Sequence, residues 1–327
     1  MKACVYGMGA IGGLIGYGLA EAGCELSAVA RGETLAALRT KGLRLRTGDG
    51  IAAAAVRAVE NPAELGVQDL VVIAVKAPAL AAVAERLRPL LGEDTIVLPA
   101  MNGVPWWFFQ GFGGKFEGTV LRSVDPESRI ARAIPADRVM GCVVHLGASS
   151  PEPGLVLAGP GRRLILGEPS GIGTKRLRDL AELLRKAGFE AEITGSIQRE
   201  IWYKLWGNMT MNPISALTGA TMDRILDDPL LSRFCLGVMG EAKRIGESIG
   251  CPIDQSGEER LGIARKLGAF KTSMLQDVES GKPVELDALV ASVKEIGELA
   301  GESTPGIDAL LGLARLMART RGLYPEG

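Results

Sequence analysis

The chain has 327 residues, 47% hydrophobic and 23% charged, which suits a soluble globular protein of about two domains, each able to bury its own core. Its 37 basic and 38 acidic side chains nearly cancel to a formal charge of −1, so the basic footprint of a nucleic-acid binder is missing. Cys4, Cys24, Cys142, Cys235 and Cys251 are scattered without the paired spacing of a metal site, and fit reduced, mostly core thiols in a cytoplasmic protein.

The first apolar run ends in Gly7-Met8-Gly9-Ala10-Ile11-Gly12-Gly13, after which Leu14, Ile15, Leu19 and Ala22 recur with helical spacing. This predicts a strand, a tight turn and a helix. In a dinucleotide-binding unit the first glycine makes the turn, the second admits a pyrophosphate to the backbone, and the third lets helix and strand pack closely. The phosphates then meet the positive end of the helix. Lys2 and the apolar stretch to Ala20 superficially resemble a signal peptide. Six glycines there suit a strand-turn-helix junction better, so the mature chain is expected to start at Met1.

A second strand over residues 26–30 ends at Arg31, about twenty residues past the last fingerprint glycine, where a dinucleotide fold reads the adenosine ribose. An acidic residue there would bind the 2′-hydroxyl of NAD. A planar cation suits a 2′-phosphate, so Arg31 favours NADP; the alternative is a solvated surface arginine opening a loop. Residues 42–59 alternate around Thr47-Gly48-Asp49-Gly50 and predict a hairpin added to the sheet. Strands over 70–75 and 95–99 flank a helix over 79–91 and run into Lys76 and Asn102-Gly103. Four strand ends thus carry chemistry to the carboxyl edge of a parallel sheet. Lys76 and Pro78 interrupt the apolar run over 71–83, and no membrane span is expected.

From Arg138 the pattern changes to short β runs over 139–146, 154–157 and 164–166, predicting an antiparallel extension of the first domain. A helix over 174–187, whose charges alternate in sign like a solvated face, and a strand over 190–194 complete it. Everything beyond Gly195 has helical period. The fold class is therefore α/β, an N-terminal Rossmann-type dinucleotide-binding domain with an antiparallel extension (1–195), followed by an all-helical C-terminal domain (196–327).

In the helical part, Lys204, Asn208 and Asn212 are spaced by four and share one stripe. Asparagine is a poor helix former, and two of them behind a lysine, among tryptophans and methionines, suggest a polar stripe that meets a ligand. The bland alternative pairs an exposed Lys204 with Glu200 and has Asn212 close the helix before Pro213. Ser273 and Glu285 could each be a cap or a surface residue. The one histidine, His145, lies in a β run and reads as packing.

Together these motifs resemble the ketopantoate reductase family over essentially the whole chain. They are the glycine fingerprint with Arg31, Val75-Lys76, Asn102-Gly103, Pro135-Ala136-Asp137-Arg138, Lys204 with Asn208 and Asn212-Pro213, the stretch Ser273-Met274-Leu275-Gln276-Asp277, and Glu285-Leu286-Asp287. The resemblance implies an active site in a cleft between the domains and NADPH-dependent reduction of a 2-oxo acid, 2-dehydropantoate by default, in pantothenate biosynthesis. It makes Gly7, Met8, Gly9, Ala10, Ile11, Gly12, Arg31, Lys76 and Asn102 the cofactor-binding residues. Lys204 would be the general acid and Glu285 its orienting or substrate-binding partner. Asn102, Asn208, Asn212 and Ser273 would hold the substrate. A small-molecule substrate and no metal are implied, and a homodimer is left open.

Two departures from the family pattern stand out. Val290-Ala291 replaces an Asn-Gly pair frequent in the family, and Trp106-Trp107-Phe108-Phe109 follows Asn102-Gly103. They raise the expectation that Trp106 or Trp107 reaches the pocket, and with it the alternative of another branched or aromatic oxo acid as substrate. A non-catalytic NADP(H) sensor is the remaining alternative. Residues 110–134 form a connection long enough to be functional or disordered.

Overall fold

A computed structural model describes residues 1–48 and 50–326; Asp49 of the expected hairpin turn and the terminal Gly327 lie outside the described residues. The chain divides into two compact units. The first comprises Met1–Met101, Trp107–Gly113 and Ser128–Ile197, and the second Asn102–Trp106, Gly114–Glu127 and Gln198–Gly327.

In the first unit the strands are β1 (Lys2–Tyr6), β2 (Glu25–Val29), β3 (Leu43–Thr47), β4 (Gly50–Ala54), β5 (Arg57–Val59), β6 (Gln68–Ile73), β7 (Leu91–Pro99), β8 (Gly141–His145), β9 (Ala148–Glu152), β10 (Leu155–Ala158), β11 (Arg163–Gly167) and β12 (Glu190–Ile193). Its helices are α1 (Ala10–Glu21), α2 (Gly32–Lys41), α3 (Leu80–Ala84), α4 (Arg129–Ala133) and α5 (Lys175–Lys186). The main sheet is parallel, in the order β5-β2-β1-β6-β7. Ala3, Cys4 and Val5 on its central strand are fully buried, as expected for a parallel sheet covered on both faces. Leu14, Ile15 and Leu19 of α1 pack into the same core, each contributing about 1.5–3 kcal/mol by leaving water. The chain runs from β1 outward to β2 and β5, then returns to β6 and β7 on the other side. That reversal beside β1 opens the crevice in which doubly wound folds bind ligands.

Three expectations are corrected here. The hairpin of β3 and β4 does not extend the parallel sheet; it joins β10 and β9 in a separate sheet of order β4-β3-β10-β9, and only β5 from that stretch edges the main sheet. Alternation gave the hairpin, but choice of sheet is a long-range matter that period cannot encode. Of the later β runs, β10 joins that second sheet, while β8, β11 and β12 form a third of order β12-β11-β8, antiparallel at β11–β8 but parallel at β11–β12. The helix expected over 79–91 shrinks to α3 between two 3₁₀ turns at Ala77–Ala79 and Arg88–Leu90. Pro78 and Pro89 each deny the backbone a donor, and both fall in those turns.

The second unit is built from α6 (Ile197–Thr218), α7 (Met222–Asp227), α8 (Pro229–Ser248), α9 (Gly257–Arg265), α10 (Ser273–Glu279), α11 (Ser292–Ala300) and α12 (Pro305–Thr320). α8 packs against α7, α9, α11 and α12. It also accepts both indole N–H groups of α6, Trp202 to the Ala242 carbonyl at 3.2 Å and Trp206 to Met239 at 2.8 Å. Buried tryptophans thus keep their polar edge satisfied while their rings anchor α6. The buried Glu241 carboxylate of α8 accepts the N–H groups of Gly306 and Ile307, capping the start of α12 with negative charge. Pro213 lies inside α6 instead of ending it. Residues 209–216 are all buried, and that packing carries the helix past a proline that would otherwise break it at about 3 kcal/mol.

Among the described residues no helix is long and apolar enough to cross a membrane, and no cluster of His, Cys, Asp and Glu could hold a metal. None of the five thiols is in a disulfide, and four of them are buried. Burial pushes the thiols of Cys4, Cys235 and Cys251 up to about 12 and raises that of the half-buried Cys24. A thiol titrating so high is ionised in about one molecule in ten thousand at pH 8. Native protein at pH 8 is therefore expected to take up at most one equivalent of iodoacetamide, at Cys24. Unfolded protein should take up five; mass spectrometry of the labelled peptides distinguishes the two results.

Candidate active site

In the first unit the glycine turn is a tight backbone cradle. Gly7 has φ +102°, a conformation L side chains rarely adopt, and a Cβ there would meet Ala74 and Val75 at 2.8 Å. A Cβ at Gly12 would overlap the Gly7 carbonyl oxygen. Gly9, in contrast, has open space around it and precedes α1 without any side-chain cap. The helix N-terminus thus presents bare backbone N–H groups on its open side, which is what a pyrophosphate needs. The cradle fits a dinucleotide.

Lys76 and Arg31 follow the two strands that flank β1, β6 and β2. Lys76 follows β6 as the residue before a 3₁₀ turn, and Ala74 donates its N–H to the Tyr6 carbonyl at 2.9 Å, joining this segment to the glycine turn. Arg31 follows β2, exposed, at the N-terminus of α2. Burial raises the Tyr6 phenol above its ordinary range, and the charges of Arg86 and Arg31 oppose that rise. Arg86 is a cation that no motif flagged: it lies in an irregular loop after α3, and only the fold puts it within electrostatic reach of Tyr6.

In the second unit three distant segments meet. Lys204 of α6 donates from Nζ to Asn102 Oδ1 at 2.8 Å, which removes the bland pairing with Glu200 as its explanation. Val104 donates its N–H to the Ala288 carbonyl at 2.8 Å, docking the Asn102-Gly103 loop on the segment that begins with Glu285. Glu285 itself is 6% exposed. Asn208 is half-buried one turn beyond Lys204, and Asn212 is buried a further turn on. Ser273 is the exposed first residue of α10, behind the cap Thr272, so the structure leaves it on the surface of that short helix.

The Glu285 segment is held from the other side by the end of the chain. Val284 donates to the Leu323 carbonyl at 3.1 Å, and the Tyr324 hydroxyl donates to the Asp287 carboxylate. Burial raises the Asp287 carboxyl, and that hydrogen bond opposes the rise; burial and the same carboxylate push the Tyr324 phenol up. Residues Asp287–Ala291 form a π-helical turn, a local irregularity often found at functional sites, and Val290 lies fully buried within it. The Asp287–Tyr324 contact was invisible to sequence reasoning because 37 residues separate its members.

The aromatic run is corrected. Trp106 and Trp107 are 3% and 1% exposed and pack in the interior, with Phe108 and Phe109 meeting edge to face at 5.0 Å. Four large rings in succession gain more from burial than from lining an open site. The long connection is ordered as well: Glu295 of α11 accepts the N–H groups of Arg122 and Ser123 at 2.7 and 2.8 Å and the Ser123 hydroxyl at 2.6 Å.

A doubly wound cradle for a dinucleotide and a lysine–asparagine pair in a helical unit define an oxidoreductase that uses a nicotinamide dinucleotide. The family model described as ketopantoate reductase PanE/ApbA matches residues 3–171, and the model of that family's C-terminal part matches 196–318. A 2-dehydropantoate 2-reductase of Mesorhizobium japonicum is 46% identical over 325 residues, covering 99% of this chain and all of the relative. A solved structure from Ralstonia solanacearum MolK2, itself a candidate ketopantoate reductase, has 57% identity and a TM-score of 0.95 over 99% of both chains. That of 2-dehydropantoate 2-reductase from Geobacter metallireducens GS-15 has 27% identity and a TM-score of 0.85, over 97% of this chain and all of the other. The chain belongs to the ketopantoate reductase family.

Proposed function

We propose that this protein reduces 2-dehydropantoate to pantoate with NADPH, residues 1–195 forming the cofactor domain and 196–327 the substrate and catalytic domain. The observation that carries the reading is the Lys204–Asn102 pair at 2.8 Å, which puts a cation with transferable protons on an ordered polar partner. The full-length likeness to the Mesorhizobium japonicum enzyme supports the substrate. A dinucleotide held by the glycine turn would supply the hydride that reduces the substrate's keto carbon. Negative charge then grows on the carbonyl oxygen, and Lys204 stabilises it and donates the proton that makes the hydroxyl. Asn102 orients the ammonium, and Glu285 orients the lysine or holds a substrate hydroxyl. Asn208, Asn212 and Ser273 are the proposed substrate contacts, Ser273 the most exposed of them. Gly7, Met8, Gly9, Ala10, Ile11 and Gly12 would hold the pyrophosphate, with Lys76 and Asn102 toward the nicotinamide ribose.

NADP over NAD rests on Arg31, a planar donor where NAD would call for an acid. The aromatic-substrate alternative loses its main support, because Trp106 and Trp107 are core. Steady-state oxidation of NADPH with a panel of 2-oxo acids tests the reading. 2-Dehydropantoate is expected to have the highest kcat/KM, and a tenfold preference for another oxo acid would overturn it.

A further inference from the structure

Residues 284–288 carry two arms of the site on one short turn. Glu285 stands in it between Val284 and Leu286, all three buried. The Ala288 carbonyl accepts the Val104 N–H at 2.8 Å, and the Asn102-Gly103 loop lies directly against it. Gly103 has φ +88°, and a Cβ there would meet the Ala288 oxygen at 2.5 Å and the carbonyl carbon at 2.7 Å, so only glycine allows the approach. Asn102, the residue before it, accepts from Lys204. Whatever fixes this turn therefore fixes Glu285 directly, and the partner of Lys204 through one backbone hydrogen bond.

Two groups fix the turn from outside, and both come from the segment after α12. Gly322, at φ +66°, ends that helix in a left-handed turn, donating to the Arg319 carbonyl while Leu323 donates to the Ala318 carbonyl, each at 2.8 Å. This pair of bonds is a Schellman closure, and Leu323 beyond it is buried. The Leu323 carbonyl accepts the Val284 N–H, and the Tyr324 hydroxyl, one residue on, donates to the Asp287 carboxylate. The Tyr324 ring is itself held: the Arg319 guanidinium carbon lies 5.7 Å from its centroid, and Arg319 Nε donates to the Pro325 carbonyl at 2.8 Å. Glu285 is thus bracketed by one tie at the residue before it and another two residues after it. Asp287 is the only side chain there that can take the second tie, because Leu286, Ala288, Leu289 and Val290 are apolar and buried.

We infer that Tyr324 is a positioning residue for the reaction, acting through Asp287 to hold Glu285 and Asn102 in register with Lys204. The inference rests on the functional reading above and deepens it. A proton passes from the Lys204 ammonium to a carbonyl oxygen only across a hydrogen bond, and a misplacement of about 1 Å costs on the order of a hundredfold in rate. Glu285 and Asn102 come from distant parts of the chain, and the turn is where their backbones meet. Tyr324 works at one remove: its hydroxyl sets where the turn sits, and the turn sets the two side chains.

The test measures kcat with 2-dehydropantoate and KM for NADPH in Tyr324→Phe, Asp287→Ala and Asp287→Asn, the first two also combined with Lys204→Ala. Tyr324→Phe keeps the ring and removes the donor, while Asp287→Ala removes the acceptor from the other side. Each is expected to lower kcat about 3- to 30-fold, with KM for NADPH changed less than about twofold. Asp287→Asn still offers an oxygen to the hydroxyl and should recover most of that loss. In the Lys204→Ala background the same substitutions should cost less than about twofold, because the group being positioned is gone. A merely structural role would lower kcat by the same factor in both backgrounds. Thermal melts identify a variant that fails to fold, and either single variant that folds decides. Unchanged kcat, or an equal loss with and without Lys204, overturns the role of Tyr324. A wild type that reduces no 2-oxo acid overturns the functional reading instead, a result distinct from an active wild type with indifferent variants.

Discussion

Lys204→Ala is expected to lower kcat by about 10²- to 10⁴-fold while the protein still binds NADPH, the scale on which a positioned general acid contributes. The partner charge appears on the carbonyl oxygen only as the hydride arrives, so most of the interaction belongs to the transition state. Part of it exists earlier if the ammonium already touches the ground-state carbonyl, and KM then rises too; the division between the two parameters measures that part. In the resting protein the ammonium is held by Asn102 at 2.8 Å, so Asn102→Ala should lower kcat less, by loosening the donor without removing it. Pre-steady-state mixing with saturating NADPH separates the chemical step from product release. A Lys204→Ala enzyme with near-normal kcat on its best substrate would show that the proton comes from elsewhere.

Arg31→Asp is expected to weaken NADPH at least tenfold and to bring its affinity to or below that of NADH. The substitution removes a charge-assisted contact worth about 1.5–3 kcal/mol and places a carboxylate against the 2′-phosphate. Arg31 is exposed beyond β2, so its loss disturbs no core and the melting temperature should hold. Fluorescence titration of both nucleotides reads the effect. Equal affinity of the wild type for NADH and NADPH would sink the cofactor assignment.

Much of this was legible in the sequence wherever the determinant is local. Gly7, Gly9 and Gly12 announce a turn because their spacing is itself the geometry, and Thr174 marks the start of α5 because its hydroxyl accepts the Leu177 N–H. The Lys204 stripe was visible for the same reason: four-residue spacing is helix geometry written in sequence. What stayed hidden depends on segments far apart. The hairpin of β3 and β4 was recognisable as a hairpin, but its sheet was set by β10, more than a hundred residues on. The aromatic run at 106–109 looked like a pocket because composition cannot say which side of a turn faces inward.

The clasp on the Glu285 segment couples that turn to the last turn of α12. Val284 and Asp287 are held by Leu323 and Tyr324, which follow α12 within four residues. Fraying of the last turn of α12 therefore loosens the turn that bears Glu285, and the two are expected to exchange their amide hydrogens as one unit.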